Sequence, residues 1–396
     1  MLSPFGLSTS FGFGDRLGLA TPGHVAALRH STLNIQPIFA QQSVRENART
    51  GRTPQQVIDE AKRAVEAAGW DAPWGADADH LKTVEDLPPF VSAGYTFFTV
   101  DPGAHVDNAA DTDPLSVLQE KARGQNWDEL SALYLAGNGE APERTGASGY
   151  GAFDSEKLLR ALVKYGRAIS HTIAMYRRLS ELKESFDFEV SVDETDAPTT
   201  PLEHFFIANE LTRAGVKFTS LAPRFIGRFE KGVDYIGDLA ALDVELAKHA
   251  AVTAHFGTYK LSLHSGSDKF SVYPLIVKHW GQRIHVKTAG TSYLEALRTL
   301  AVTSPALFER IWALGLERYG TDRATYHVSA DPALVATGLP LPALLDDFHA
   351  REILHVTFGS ALTEFGAEIK SALVKDAGAY NANLQKHFGR HLNLLK

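Results

Sequence analysis

Apolar and polar residues alternate in several short segments of the chain, and this alternation predicts β-strands. It is clearest at residues 187–194, DFEVSVDE, where apolar side chains would share one face and acidic or hydroxyl side chains the other. Residues 259–266, YKLSLHSG, repeat the pattern and end in a polar turn after His264. Burying the polar face of such a strand costs free energy unless that face lines a cavity.

Segments with helical periodicity separate the predicted strands, so strands and helices alternate along the chain. The predicted strands are residues 35–42, 95–102, 187–194, 216–223, 259–266, 283–290, 324–331 and 354–359, with residues 11–16 as a further candidate. Residues 70–89 are acidic and are predicted to form a loop. Helices are predicted to begin at Thr53-Pro54, at Asp154 or Ser155, and at Thr200-Pro201, where capping residues precede the periodic pattern.

The polar strand faces decide between two α/β architectures. Strands of an open parallel sheet are covered by helices on both sides and are apolar throughout. At least five strands here are polar on one face, which favours a (β/α)8 TIM-like barrel with small and polar residues inside. The pattern leaves open whether residues 11–16 form the first strand or residues 354–359 the last.

We predict one catalytic domain over residues 1–396. Residues 103–150 form a long insertion after an early strand, with the role of a lid, an oligomer contact or a flexible segment. Residues 360–396 form a C-terminal helical tail.

Composition narrows the class of protein. A chain of 396 residues with 44% hydrophobic residues can bury a large core, and its net charge of −8 disfavours a nucleic-acid partner. The sequence has no run of 18 apolar residues and no signal-peptide pattern at its start, so we expect a cytoplasmic protein without a membrane partner. Because it has no cysteine, disulfides, iron–sulfur clusters and thiol nucleophiles are excluded.

The C-terminal ends of barrel strands are where TIM-barrel enzymes place their chemistry. Ionisable residues at or near these predicted ends are Asp15 or Arg16, Asp101, Asp193 with Glu194, Arg224, His264, Lys287, His327 and His355. Uncompensated burial of so many charges would cost several kcal/mol per group, so an active site is a better explanation than packing.

Imidazoles and carboxylates without cysteine suit a divalent ion such as Zn²⁺, Mn²⁺, Ni²⁺, Co²⁺ or Fe²⁺. The predicted ligands are Asp193, His264 and His327, with His355 or Glu194 as a fourth ligand or as a support for the others. The alternative is an internal polar network without a metal, since no HExxH or EF-hand pattern fixes the ligand spacing.

Lys287 could form a Schiff base or could stabilise an enolate beside a metal, and the second role is favoured if a metal is present. Asp101 and Glu194 are candidates for acid–base catalysis. An anionic group of the substrate could be bound by Arg16, Arg224 and Lys269.

Four segments resemble the tagaturonate/fructuronate epimerase family, over nearly the full chain. They are GFGDRLGLATPGH (12–24), VDET (192–195), LHSGSDKFSVYP (263–274) and VKTAGTSYLEAL (286–297). The resemblance implies a metal-dependent enzyme that inverts C4 of a ketohexuronate, or of the neutral ketohexoses fructose and tagatose on which relatives act. On the matching motifs it implies that the site includes Asp15, Arg16, Glu194, His264, Asp268, Lys269 and Lys287, with Ser265 in the same substrate-binding turn.

Two routes can invert C4. Retro-aldol cleavage of C3–C4, rotation of the aldehyde and re-addition need a divalent ion and an acid–base group, for which Asp101 or Glu194 is predicted. Transient oxidation at C4 needs a nicotinamide, and the sequence lacks the GxGxxG fingerprint. A class II aldolase, a sugar isomerase or a non-catalytic sugar-binding protein are the alternatives, and a homo-oligomer is possible.

Overall fold

A closed barrel of eight parallel strands organises the computed structural model, which describes residues 1–135 and 150–396. The strands are β1 Ser10–Gly14, β2 Gln36–Ser43, β3 Gly75–Leu81, β4 Phe97–Val100, β5 Asp187–Val192, β6 Ser220–Pro223, β7 Lys260–Leu263 and β8 Ile284–Thr288. Each strand pairs with the next, and β1 pairs with β8 to complete the ring. The prediction of a (β/α)8 barrel is confirmed, with residues 11–16 as the source of the first strand.

Helices follow the strands and pack around the ring. Those of the first half are α1 Thr21–His30, α2 Val44–Thr50, α3 Pro54–Ala67, α4 Leu87–Ala93, α5 Leu115–Lys121, α6 Trp127–Tyr134 and α7 Ser155–Leu182. Those of the second half are α8 Pro201–Arg213, α9 Leu239–Phe256, α10 Tyr273–Trp280, α11 Thr291–Thr303, α12 Pro305–Asp322, α13 Phe348–Val356, α14 Phe358–Lys375 and α15 Ala377–Asn393. No helix in the described ranges is long and apolar enough to cross a bilayer.

The predicted helix starts follow from local capping. Thr53 precedes α3 and Thr200 precedes α8, and in each case the threonine hydroxyl accepts the backbone N–H three residues later. The side chains of Gln56 and Glu203 complete the reciprocal capping box. Asp154 caps α7 in the same way through the Lys157 N–H.

Alternation along the strands separates an apolar outer layer from a polar interior. On β5, Phe188 and Val190 are buried in the apolar cluster beneath the helices. Between them, Glu189 reaches Lys287 on β8, on the far side of the ring. Such a contact runs through the barrel interior, so the predicted inward direction of the polar residues is confirmed.

The N-terminal end of the barrel is closed by the first residues of the chain. Backbone N–H groups of Phe5 and Gly6 donate to the Asp187 carboxylate at 2.6 and 2.9 Å. The Lys260 ammonium donates to the Ser8 carbonyl at 2.6 Å and to the Ser10 hydroxyl at 2.9 Å. The first residues of the chain therefore cover this end of the barrel, and the C-terminal end, where TIM-barrel enzymes place their chemistry, is the place to expect a site.

The prediction of a loop over residues 70–89 is wrong, because β3 lies within it. Gly, Ala and Asp are all depleted in strands, so the composition of GADADHL argues against one. The tertiary context reverses this preference: Ala76 and Ala78 pack outward, while Asp77 and Asp79 bind Lys287 inside the ring.

The predicted strand at residues 324–331 is also wrong. A short 3₁₀ turn, Arg323–Thr325, leads into a segment that borders a cavity above the barrel. Val328 and Ala330 are buried there while His327 is exposed, which produces a two-residue alternation without any strand pairing.

Residues 354–359, predicted as a strand, form the end of α13 and the start of α14. A six-residue alternation is too short to distinguish a strand from a buried helix. The ring is completed by the pairing of β1 with β8, so the barrel has no position for a further strand.

The insertion predicted at residues 103–150 begins with short 3₁₀ turns and continues through α5 and α6. Residues 136–149, which include most of its glycine-rich part, lie outside the described residues. Its role, and the division of the chain into a single domain with a tail, stay predictions.

Candidate active site

The centre of the C-terminal end of the barrel is the ammonium group of Lys287. Its Nζ lies 2.7 Å from Asp77 Oδ2, 2.8 Å from Asp79 Oδ1 and 2.9 Å from Glu189 Oε1. It also donates to the Thr99 hydroxyl. All of these side chains are buried, so one cation is surrounded by three carboxylates in the barrel interior.

A β-bulge in β3 aims one further group, the His80 imidazole, at this centre. The register of β3 against β4 shifts between Ala78 and Leu81, and His80 adopts a left-handed backbone conformation with φ of 51°. Bulges of this kind redirect side chains beside functional sites. As a result the His80 ring lies 5.1 Å from the His264 ring, and its Nδ1 lies 3.4 Å from Asp101 Oδ2.

His264 connects the buried carboxylates to the cavity above them. Its Nε2 contacts Glu189 Oε1 at 2.5 Å, and its Nδ1 lies 3.2 Å from both Asp193 Oδ1 and the Ser191 hydroxyl. Its position just beyond β7 places the ring at the C-terminal end of the barrel. His264 is therefore held from both sides by acidic groups.

The carboxylates around Lys287 titrate differently. Burial raises the pKa of Asp77 to about 7, although Lys287 opposes this shift. Burial acts in the same direction on Asp79, but Lys287 and His80 outweigh it and lower the pKa of Asp79. Burial alone would lower the pKa of Lys287, whereas Asp77, Asp79 and Glu189 raise it, so this lysine is a stable cation.

The two imidazoles are also held by negative charge. Burial would lower the pKa of His80, but Asp79 and Asp101 raise it to about 10. For His264, Asp193 and Glu189 likewise outweigh burial and raise the pKa to about 9. The acidic groups thus favour a positive charge at both imidazoles, and they would favour a bound cation for the same reason.

A cavity of about 430 Å³ opens above His264. It is bordered by the ends of β6 and β7, by the loop after β6 and by the segment before α13. Its lining residues include Arg45, Asp193, Glu194, Arg224, Arg228, Lys231, His264, Ser265, Tyr326 and His327. Four of these residues are cationic and two, Asp193 and Glu194, are carboxylates, so the wall offers both cations for an anionic ligand and acceptors for its hydroxyl groups.

Two groups of side chains near the cavity have ligand atoms within 4.8 Å of one another: Asp79, His80 and His264, and His80, Asp101 and Glu194. Nitrogen and oxygen donors of this kind suit the divalent ions predicted from the sequence. The residues therefore fit a metal, with His80 common to both groups.

The structure separates the predicted metal ligands. Asp193 and His264 are neighbours. His327 is exposed on the cavity wall, while His355 is buried in α13 beside Gly290 and Gly232. Within the described residues, no ligand group around His264 includes His327 or His355.

The predicted catalytic carboxylates differ in their access to the cavity. Asp101 is buried, accepts the Gly103 N–H at 2.9 Å and lies 3.1 Å from Lys82 Nζ. Burial would raise its pKa, but His80 and Lys82 lower it to about 2. Glu194 lines the cavity and lies 3.5 Å from Arg45, so it has the better access to a ligand.

Asp15 and Arg16 stabilise a turn after β1. The Asp15 carboxylate accepts backbone N–H groups of Leu17, Gly18 and Ala20 at 3.0, 2.8 and 2.7 Å. Arg16 pairs with Glu46 at 3.0 Å and its guanidinium stacks on an aromatic ring. The glycines before them allow close strand packing, since a Cβ at Gly14 would lie 2.4 Å from the Ala289 carbonyl oxygen.

Asp268 and Lys269 bind other protein groups rather than facing the cavity. Asp268 pairs with Arg351 at 2.9 Å and lies 2.7 Å from His387 Nε2. Lys269 donates to the carbonyls of Glu230, Val233 and Ser267. Of the residues predicted to bind the substrate, Ser265 and Arg224 are among the cavity-lining set.

Sequence reasoning missed Asp77, Asp79 and His80. Their segment has a signal that could have identified them, because Ala76 and Ala78 alternate with the two aspartates and a histidine follows. The same arrangement, ending in His264, marked β7 as a strand.

Comparisons with a family model, a related sequence and a solved structure all point to the same family. The sequence model of the tagaturonate epimerase family (UxaE) matches residues 3–395. A tagaturonate/fructuronate epimerase of Thermotoga maritima is 45% identical over 410 residues, covering 99% of this chain and 81% of the relative. The crystal structure of the fructuronate-tagaturonate epimerase UxaE of Cohnella laeviribosi superposes with a TM-score of 0.89 at 39% identity, over 100% of this chain and 83% of that chain.

A more distant likeness concerns the fold alone. A probable tagatose 6 phosphate kinase of Sinorhizobium meliloti matches with a TM-score of 0.52 at 11% identity, over 98% of this chain.

Proposed function

Because this chain belongs to the tagaturonate epimerase family, we propose that it interconverts tagaturonate and fructuronate by inverting the configuration at C4. The related proteins are named as epimerases, and the chain is accordingly an enzyme of the isomerase class. The observation that carries the proposal is the position of His264, which joins the buried acidic cluster to a cavity lined by four cationic residues and by Glu194.

For the chemistry we propose a retro-aldol route. A base takes the proton of the C4 hydroxyl, the C3–C4 bond breaks, and its electron pair passes into an enediolate over C2 and C3. The C4–C6 fragment is then an aldehyde that can rotate and accept the pair on its other face, after which the proton returns to the C4 oxygen. The product has the same atoms and oxidation level as the substrate.

Glu194 is the proposed base for this step. It lines the cavity, whereas Asp101 is enclosed by His80, Lys82 and the Gly103 N–H. Arg45, 3.5 Å from Glu194, keeps its carboxylate in place. Asp101 fits a supporting role behind His80.

Lys287 fits an electrostatic role better than a nucleophilic one. A Schiff base needs a neutral amine, which the raised pKa of Lys287 opposes. An ammonium has three N–H donors, and here four acceptors surround it. Lys287 therefore fixes the orientation of Glu189, one of the two carboxylates that hold His264.

We propose that Asp79, His80 and His264 hold a divalent ion, with Glu194 or Asp101 close enough to assist. When bound, such an ion would stabilise negative charge on the C2 and C3 oxygens. The set predicted from the sequence, Asp193, His264, His327 and His355, stays the competing hypothesis.

Metal content distinguishes the two ligand sets. We expect purified His80→Ala and His264→Ala to lose bound metal and at least about 100-fold in activity, because ligand loss removes both binding and charge stabilisation. His327→Ala is the matched control and should keep its metal. Loss of metal in His327→Ala with full metal in His80→Ala would favour the sequence-based set.

The reaction itself is tested by incubation with fructuronate, tagaturonate, fructose and tagatose, with products identified by NMR. We expect conversion of the uronates, inhibition by EDTA and recovery with Mn²⁺, Ni²⁺ or Zn²⁺. A C4–C6 aldehyde trapped by borohydride would support retro-aldol chemistry, while tightly bound NAD would contradict it. Release of that aldehyde as the main product would indicate an aldolase.

A further inference from the structure

The four cations of the cavity differ in whether a carboxylate already neutralises them. Arg45 pairs with Glu194 at 3.5 Å, and Arg228 pairs with Glu230 at 3.3 Å. Arg224 and Lys231 form no ion pair within 4 Å among the described residues, although the more distant charge of Lys231 acts on Asp193. Of these two, Lys231 donates to the Ser265 hydroxyl at 2.9 Å, directly beside His264.

The location of Lys231 beside His264 matches the geometry of the proposed substrate. The carboxylate of a ketohexuronate is C6, only two bonds from the C4 centre that reacts. A group that binds it must therefore lie close to the groups that act on C4, and Lys231 contacts the residue that follows His264. A neutral ketohexose has a hydroxymethyl group at C6 and would gain little from a cation.

The backbone around Lys231 is unusually well fixed for a loop. The buried Lys269 ammonium binds the carbonyl of Glu230 before Lys231 and that of Val233 after it, at 2.6 and 2.5 Å. Arg351, itself paired with Asp268, donates through Nε to the Gly232 carbonyl. Each neighbouring carbonyl is thus held by a buried cation.

Gly232 adds a conformational constraint to the same loop. Its φ of +76° is in the left-handed region, and a Cβ would lie 3.0 Å from Leu294 Cδ1 and 3.3 Å from His355 Cδ2. The left-handed backbone of the residue after Lys231 therefore favours glycine, and a Cβ there would also require Leu294 or His355 to shift by a few tenths of an ångström.

We propose that Lys231 is the specificity-determining residue that binds the substrate carboxylate, and that Asp268 and Lys269 are positioning residues which hold its loop. This inference rests on the proposed epimerase function. The inference also gives a role to Asp268 and Lys269 of the LHSGSDKF segment. These two residues do not line the cavity, so direct binding of the substrate does not explain them.

The direct test replaces Lys231 by methionine, which keeps an unbranched side chain one heavy atom shorter and removes its charge. We expect Lys231→Met to raise KM for fructuronate about 10- to 100-fold, the loss typical of one charge-assisted hydrogen bond, with kcat nearly unchanged. Its kcat/KM for fructose should change less than about twofold. Lys217→Met, at an exposed lysine, is the matched control and should behave as wild type.

An unchanged KM for fructuronate, or equal losses on fructuronate and fructose, would overturn the proposal. Calorimetric binding of fructuronate provides a readout that does not require turnover. A wild-type protein that binds fructuronate through Lys231 without epimerising it would contradict the proposed function and support this inference. If Lys231→Met epimerises normally and binds fructuronate with full affinity, the proposed function is supported and the role of Lys231 is contradicted.

The positioning role is tested by a double-mutant cycle. Lys269→Met should raise KM for fructuronate as Lys231→Met does, and the double variant should lose little more than Lys231→Met alone. Additive losses would contradict the positioning role. If Lys269→Met does not fold, Gly232→Ala replaces it in the cycle, with the same expected KM effect and the same contradicting outcome.

Discussion

Lys260 and Lys287 lie on neighbouring strands and both enter the barrel interior, yet their surroundings are opposite. At the N-terminal end, Lys260 binds the Ser8 carbonyl and the Ser10 hydroxyl, and burial lowers its pKa to about 8. At the C-terminal end, burial is outweighed at Lys287 by three carboxylates, which raise its pKa. In this barrel, burial alone does not distinguish the two lysines, and the excess of carboxylates around Lys287 does.

The largest expected effect is at the acidic end. Lys287→Met would leave Asp77, Asp79 and Glu189 buried without their cation, and breaking such a buried pair costs about 3–5 kcal/mol. We expect a lower free energy of unfolding in urea and loss of epimerase activity. Lys260→Met should keep its activity.

A second substitution sharpens this result. Adding Asp77→Asn to Lys287→Met removes one uncompensated carboxylate, so part of the stability should return while activity stays absent. If Lys287→Met unfolds at the same urea concentration as the wild type, the three carboxylates do not depend on this lysine for their compensation.

An intermediate effect is expected at Lys260, at the N-terminal end of the barrel, where the free energy of unfolding should depend on pH. The pKa of Lys260 is about 8 in the folded protein and about 10.4 in an unfolded chain, so the unfolded chain binds more protons between these values. The contribution of Lys260 to the free energy of unfolding therefore rises with pH across this window, by about 3 kcal/mol. Urea unfolding from pH 7.5 to 10.5 should show this rise in the wild type relative to Lys260→Met, and parallel curves would contradict it.

The smallest effect is expected at Asp187. Asp187→Asn keeps one acceptor for the Phe5 and Gly6 N–H groups and loses the other, at a cost of about 1–2 kcal/mol. Thermal unfolding should detect this loss without a change in activity. Asp71→Asn, at an exposed position, provides the control. A drop in activity at Asp187→Asn would mean that the two barrel ends are coupled.

The contrast between the two ends of the barrel also explains which site residues the sequence could predict. Alternation identified the inward faces of β5, β7 and β8, and so placed Glu189, His264 and Lys287 inside a barrel. It failed at β3, where Asp77 and Asp79 are tolerated only because Lys287 on a strand about 200 residues later compensates their charge. No local pattern contains that partner.

The errors at residues 324–331 and 354–359 have a different cause. The first segment lies over the cavity and is buried on one side, and such burial produces a polar–apolar pattern without a strand. The second is buried throughout residues 354–358 at the junction of two helices, and its six-residue alternation is too short to distinguish a strand from a buried helix. Predicting His327 and His355 as metal ligands depended on those two strands.

The pairing of β1 with β8 has a consequence for how the protein folds. Ser10 pairs with His285, and α1 packs against α15 near the other end of the chain. Contacts between such distant segments carry a large loop-closure entropy and slow the folding of a domain. During synthesis, the N-terminal strand must therefore wait for most of the chain to emerge before its second edge is paired.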